Sequence, residues 1–220
     1  MQLPFENRAE AAEALALRLH EYHGRNPLIL AIPRGAVPMG KIIAERLAGE
    51  LDVVLVHKLG SPFNPEFAIG AVDETGATYL APSTPWFHAP RAFVEHEKTR
   101  QLALLIERRA RYTPVRRLID PAGRIVIVVD DGLATGATMM AALRAIRCRH
   151  PAELLCAVAV AAPQSLDQLM PLADRVLYLA VPGNFYSVGQ FFRDFAPVDD
   201  KEVVQILADA QVNPWAVKKA

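Results

Sequence analysis

The 220-residue chain has little cysteine, no excess charge and no long apolar run, and each shortage excludes a class of function. Cys148 and Cys156 are its two cysteines. Two thiols cannot complete a tetrahedral zinc site by themselves, and they give no pattern of a secreted disulfide scaffold. Lys plus Arg and Asp plus Glu each total 24, so the formal net charge is zero. Global electrostatics therefore lends no support to nucleic-acid binding. No uninterrupted apolar stretch approaches the roughly 20 residues that span a bilayer, so no membrane partner is expected. The amino-terminal segment carries acids and lacks a basic region followed by an apolar run. It reads as a helix rather than a signal peptide, which makes the cytoplasm the expected location. Neither a G-x-x-x-x-G-K-[ST] phosphate loop nor a G-x-G-x-x-G dinucleotide loop occurs. NTP hydrolysis and hydride transfer thereby lose their main sequence support.

What is present is ordinary globular composition, with 52% hydrophobic and 22% charged residues, arranged in alternating strands and helices. Ala12, Leu15, Leu19 and Tyr22 share one face of a helix over Ala9 to Tyr22. Leu28 to Ile32 is a short apolar strand that ends at Pro33 and Gly35. A helix over Pro38 to Leu47 and a β-branched strand over Asp52 to Lys58 complete a βαβ unit. A loop from Leu59 to Glu66 leads to a strand over Phe67 to Val72 and a turn at Asp73 to Gly76. After three prolines comes a charged helix, Arg91 to Arg111. Arg124 to Val129 is the strongest strand signal, followed by a loop from Asp130 to Gly136 and a helix from Thr138 to Arg147. Strands over Leu154 to Ala162 and Arg175 to Leu179 and a helix over Glu202 to Ala210 close the chain. Nearly continuous apolar strands between helices predict an α/β fold, a mostly parallel sheet covered on both faces. Residues 1–220 read as one domain, with 77–117 as a helical insertion within it.

The sharpest chemistry lies between Val128 and Thr138. Two carboxylates, Asp130 and Asp131, end a buried strand. A short turn of Ala134, Thr135, Gly136 and Ala137 then enters a helix at Thr138. Ligands bind at the carboxyl edge of a parallel sheet. Free N–H groups of such a turn, with the helix dipole, can hold a terminal phosphate. Thr135 and Thr138 add hydroxyl donors, Gly136 allows close backbone approach, and the two alanines leave room. The aspartates repel a phosphate, so they fit a role toward ligand hydroxyls or a divalent cation. Together these features point to a phosphorylated sugar. The plainer alternative is that the acids cap the helix and the small residues form a tight turn.

These residues resemble the signature of the type I phosphoribosyltransferases, enzymes that use phosphoribosyl pyrophosphate (PRPP), and the order of elements fits from about Pro27 to Leu179. The whole chain resembles bacterial proteins carrying that domain. The resemblance implies a type I phosphoribosyltransferase-like fold with a carboxy-terminal hood. It also implies Mg2+ as cofactor, Asp130 and Asp131 on the ribose hydroxyls and the metal, and Ala134 to Thr138 on the 5-phosphate. Arg34 and Gly35 then look like the pyrophosphate loop, although a plain strand-to-helix turn with an exposed arginine has the same letters. Lys58 stands where it can meet pyrophosphate, while its neighbour His57 can equally be packed or solvated. The loop from Gly60 to Gly70 resembles one that closes over PRPP. On it, Glu66 can stabilise positive charge at the anomeric carbon or form a surface ion pair.

The implied reaction transfers 5-phosphoribosyl from PRPP to a nitrogenous, nucleobase-like acceptor and releases pyrophosphate. A PRPP-binding regulator with little or no turnover would keep the same loops, and an interaction module built on the insertion is a third reading. Ala134 stands where relatives that transfer 6-oxopurines carry an acid, which disfavours hypoxanthine and guanine. Ala137 replaces a frequent glycine and would distort the cradle if that position needs a left-handed angle. Phe185 and Tyr186 are candidates to stack on the acceptor, whereas Phe191 and Phe192 read as anchors of the tail. The segment Arg91 to Arg117 holds eight basic and three acidic residues, which suits a solvated or ion-paired helix better than an RNA surface. An apolar face on that insertion could support a homodimer.

Overall fold

A computed structural model describes residues 3–62, 68–80, 90–114 and 118–210. The element order is α1 (Arg8–Arg18), β1 (Leu28–Ala31), α2 (Val37–Leu47), β2 (Glu50–Val53), β3 (Val56–Gly60), β4 (Ala68–Asp73), β5 (Thr78–Leu80) and α3 (Arg91–Tyr112). It continues with β6 (Ile125–Leu133), α4 (Ala137–Arg147), β7 (Glu153–Ala161), α5 (Pro163–Leu169), β8 (Arg175–Ala180) and α6 (Asp200–Ala210). Five strands form a parallel sheet in the order β2-β1-β6-β7-β8. No described helix is long and apolar enough to cross a membrane.

The alternation of side chains explains why the central strands are apolar throughout. Ile29, Ala31, Ile127, Val129, Leu155 and Ala157 pack into one layer with α1, α2 and α6. Their neighbours Leu28, Leu30, Val126, Val128, Leu154 and Cys156 pack into the other with α4 and α5. A strand buried on both faces has no polar side to display. Cys156 is part of the second layer and Cys148 is exposed, so both cysteines have ordinary environments.

The predicted strand over Asp52 to Lys58 is two strands in two sheets. β1 offers four residues for pairing, Leu28 to Ala31 against Glu50 to Val53. The last bond along this lane is from Val54 N to Ala31 O (3.1 Å), where β1 ends, and the chain then leaves the sheet. β3 then pairs antiparallel with β4, and β4 with β5, in a separate three-stranded sheet. β-Branched residues favour extended backbone but do not select its partner.

The loop expected from Asp130 to Gly136 is shorter than its composition indicated. β6 continues to Leu133 because β7 extends alongside it, with Asp130 opposite Val158 and Leu133 opposite Ala161. The expected first helix also closes earlier, at Arg18, with His20–Tyr22 as a 3-10 turn. The segment between β8 and α6, residues 181–199, occupies the place of the expected hood, and the amino-terminal segment is tied to it. Phe5 bridges to Phe192, with Phe5 N donating to Phe191 O (2.9 Å) and Arg193 N to Phe5 O (2.8 Å).

One buried guanidinium ties α3 to both sheets. Arg109 Nη1 donates to Asp52 Oδ1 (2.7 Å) and Nη2 to Val53 O (2.8 Å), while Nε and Nη2 bind the Glu74 carboxylate. Asp52 is fully buried, and its second oxygen accepts from Ile119 N (3.2 Å). Removing the cation would take the shared guanidinium away from two buried acids. Arg109→Met should therefore lose about 3–5 kcal/mol of stability in urea unfolding. A loss below about 1 kcal/mol would show that this network does not join α3 to the sheets.

Candidate active site

Three loops converge at the carboxyl edge of β1 and β6. The first follows β1, where hydrogen bonding continues to Ile32 N, which donates to Val129 O (2.9 Å). The Pro33-Arg34 peptide is cis, and Gly35 follows. Gly35 is not in the left-handed region, so backbone freedom is not what fixes it as glycine. Space is: a Cβ there would stand 2.4 Å from Asp131 Oδ2 and 3.2 Å from Arg8 Nη2.

The acid pair forms the second part. Asp130 Oδ1 accepts from Asp131 N (2.9 Å), and Asp131 Oδ2 accepts from Arg8 Nε (3.0 Å). Burial, then the adjacent Asp131, pushes Asp130 well above the usual carboxylate range. Burial also raises Asp131, against the opposing pull of Arg8. Gly132 lies under the hood, because a Cβ there would be 2.7 Å from Val188 Cγ1. The hood segment is thus seated directly beside the acids.

The third part is the turn into α4. Ala134 and Thr135 are exposed, and Ser165 Oγ donates to Ala134 O (2.6 Å), which pins the turn to α5. Gly136 stands at the N-cap of α4 in the left-handed conformation, φ +70°, and has no side chain to cap the first turn. Ala137 is already the first residue of α4, and its backbone is not left-handed. The strain considered for an alanine there does not arise, since Gly136 takes the unusual angle. The Thr135 hydroxyl is 3.5 Å from Ala137 N. Apart from that long bond from Ala137 N, the N-terminus of this eleven-residue helix has no cap from its N-cap residue and suits an anion.

The other expected residues divide. Lys58 and His57 line a cavity of about 190 Å3 with Val56, Ala137, Thr138 and Ala141, so β3 is brought to the start of α4. The His57 Nδ1 lies 2.8 Å from Lys58 O, which makes that nitrogen the protonated one and leaves Nε2 as the other ring position. Arg34 is half-exposed and turns toward Asp200 at 3.9 Å. Glu66 lies outside the described residues. Phe185 packs on Phe191, ring centroids 5.0 Å apart, whereas Tyr186 is 89% exposed. Phe191 and Phe192 are buried tail anchors, as expected.

Sequence reasoning missed Arg8, and it missed that Asp200, within the acidic stretch open to pairing with the Arg91–Arg117 segment, also faces Arg34. Asp200 opens α6, accepts from Tyr112 Oη (2.7 Å) and Arg111 Nη1 (3.0 Å), and faces Arg34. Arg8 lies 123 positions from Asp131, and nothing local connects the two. The one available signal was an Asn7 cap, whose Oδ1 accepts from Glu10 N (3.1 Å) and places Arg8 in the first turn of α1.

The donor chemistry of the acid pair fits Mg2+, which takes oxygen ligands and commonly keeps several waters beside one or two carboxylates. Among the described residues no group of three or more His, Cys, Asp or Glu gathers as a dedicated cage, in keeping with so few protein ligands.

Two substitutions test this packing. Gly35→Ala should cost about 1–3 kcal/mol by forcing Asp131 aside. Gly183→Ala, whose added methyl meets nothing within 4 Å, serves as the control. Asp130→Asn should stabilise the metal-free chain at pH 7 by about 1 kcal/mol. The unfolded chain ionises Asp130 near 3.8 and the folded chain only at higher pH. Rising pH therefore penalises the folded wild type across that window, so the gain from Asn should vanish toward pH 4. Thermal unfolding across pH measures both effects.

Residues 4–189 match the family model described as "Phosphoribosyl transferase domain". Two curated proteins of Mycobacterium tuberculosis, MT0597 of strain CDC 1551 / Oshkosh and Rv0571c of strain H37Rv, carry provisional phosphoribosyl transferase names. Each is 37% identical to this chain over 204 residues. The matches cover 92% of this chain and 46% of each relative, so the chain spans about half their length. The crystal structure of TT1426 from Thermus thermophilus superposes with a TM-score of 0.88 at 42% identity, covering 94% of this chain and 99% of that one. A matched family model over most of its length, a parallel sheet of the same architecture as TT1426 and an acid pair at its carboxyl edge make this chain a member of the phosphoribosyl transferase domain family.

Proposed function

We propose that the chain is a Mg2+-dependent phosphoribosyltransferase that moves 5-phosphoribosyl from PRPP to a nitrogen of a nucleobase-like acceptor. The observation that carries this reading is the junction of β6 and α4. Asp130 and Asp131 stand shortly before the first turn of α4, which Ala137 and Thr138 open, and Asp131 lies beside the Gly35 backbone. That arrangement offers acceptors for ribose hydroxyls on one side and N–H donors for a terminal phosphate on the other.

The chemistry is displacement at the anomeric carbon. The bond from that carbon to the pyrophosphate oxygen breaks and its electron pair leaves with pyrophosphate. A bond to the acceptor nitrogen forms, and the proton that nitrogen carried passes to solvent. In this reading Ala134 to Thr138 hold the 5-phosphate, with Gly136 giving the turn its angle. Asp130 and Asp131 fix the ribose through its hydroxyls, and Arg34, Gly35 and Lys58 receive the pyrophosphate. Glu66, which falls between β3 and β4 in the chain and outside the described residues, is the acid this reading assigns to the charge that develops on the sugar. Mg2+ on Asp130 and Asp131 would neutralise leaving-group charge when bound. Tyr186 is the better candidate to stack on the acceptor, because its ring is exposed while the Phe185 ring is occupied by Phe191.

A PRPP-binding regulator is the second reading. It is favoured by one observation: the Asp131 carboxylate is already engaged by Arg8, a structural rather than a vacant acid.

An acceptor screen with PRPP and Mg2+, read by pyrophosphate release, separates the two. Turnover with one class of base supports the transferase. Saturable PRPP binding without turnover supports the regulator, and no binding contradicts both. In the active assay Asp131→Asn should lower kcat/KM for PRPP by about 100-fold, in line with loss of a charged hydrogen-bonding group and its partners. Cys148→Ser, at an exposed position outside the site, should change it less than about two-fold.

A further inference from the structure

We propose that Arg8, supplied by the amino-terminal segment, is a pyrophosphate-binding residue. The inference rests on the phosphoribosyltransferase reading and adds a cation that the loop sequences do not contain.

Arg8 is held in place by contacts on three sides. Nε donates to Asp131 Oδ2 (3.0 Å), Nη1 donates to Ala196 O (2.7 Å), and the guanidinium lies 3.8 Å above the centre of the Phe195 ring. Its side chain is 13% exposed. The segment before it is tied down by the bridge from Phe5 to Phe192. These contacts fix the plane of the fork and leave one end of it over. Nη2 makes no hydrogen bond among the described residues, and it stands 3.2 Å from where a side chain at position 35 would begin. A guanidinium carries five N–H donors, so Nη2 keeps two for a further acceptor.

Charge explains why a cation belongs there. The pyrophosphate loop and Asp131 are neighbours across the Gly35 backbone. Without a cation between them, a highly charged leaving group would lie against a carboxylate. Arg8 stands beside that contact, with Nε on the acid and Nη2 3.2 Å from the place of a Gly35 Cβ. Arg34, the cation that the loop itself carries, is half-exposed and lies 3.9 Å from Asp200, so Arg8 adds a second, more firmly held cation to the one it supplies. A planar fork that binds a carboxylate with one edge and an oxyanion with its tip is a task for arginine rather than lysine.

The test compares two ligands that share the sugar and the 5-phosphate and differ in the pyrophosphate. The wild type and Arg8→Gln are titrated by calorimetry with PRPP and with ribose 5-phosphate, both with Mg2+. A role exerted only through Asp131 or through the fold would weaken both ligands alike. A direct contact with pyrophosphate should lower the ratio of PRPP affinity to ribose 5-phosphate affinity by roughly ten-fold or more. Arg8→Lys balances Asp131 and protects the fold if the Gln variant does not fold. It loses the fork's tip, and should lower the ratio in the same direction by about three-fold. An unchanged ratio in whichever variant folds overturns the proposal. A wild type that binds neither ligand overturns instead the reading on which the proposal rests.

Discussion

The site depends on one close approach, that of the Gly35 backbone to the Asp131 carboxylate. Any side chain at position 35 would occupy the volume of that carboxylate. The contact joins the end of β1 to the end of β6, adjacent strands of the parallel sheet, and brings two loops into one site. It also places a carboxyl group in a partly buried position, which is costly unless a partner compensates it. Arg8 supplies the partner from the first turn of α1. The hood completes the enclosure, since Val188 packs on Gly132 and Phe195 lies under the Arg8 guanidinium.

The elements outside the sheet are coupled to this edge by buried or half-buried ion pairs. Arg109 links α3 to the ends of β2 and β4 through Asp52 and Glu74. Asp200 links α6 to α3 through Tyr112 and Arg111 and faces Arg34 of the loop after β1. Burial first, then the hydrogen bond to Asp200, raises the Tyr112 hydroxyl to about 12, so it remains a donor through the physiological range. The antiparallel sheet brings Lys58 to the start of α4 from a different direction than a sixth parallel strand would have. Both α3 and α4 pack against β3 and β4, so the strand that carries Lys58 is held by two helices.

Most of the parallel sheet was legible in the sequence, because doubly buried strands advertise themselves as apolar runs and each is followed by a helix with a clear period. The acid pair and the Gly136 turn were legible for a related reason: strand, acids, small residues and helix are contiguous, so their relation is local. What was not legible depends on partners distant in sequence. Nothing in the run from Asp52 to Lys58 says that β1 is only four residues long and that pairing must stop at Val53. Nothing near Asp130 says that β7 is long enough to carry β6 on to Leu133. Arg8 and Asp200 belong to the chain's two ends, and a single sequence does not report that these ends fold over the same edge. At Gly35 the constraint is the volume of Asp131, a residue 96 positions away, which the local sequence does not report. The concern over Ala137 dissolved because the left-handed position is one residue earlier, at Gly136.

The central claim is that a sugar phosphate lies between the acid pair and the first turn of α4. Crystals of the chain soaked with ribose 5-phosphate and Mg2+ test it most directly. The account predicts phosphate density at the N–H groups of Ala137 and Thr138, with the ribose hydroxyls within hydrogen-bonding distance of Asp130 and Asp131. Ligand density anywhere else, or none at saturating concentration with the site open to solvent, would contradict it.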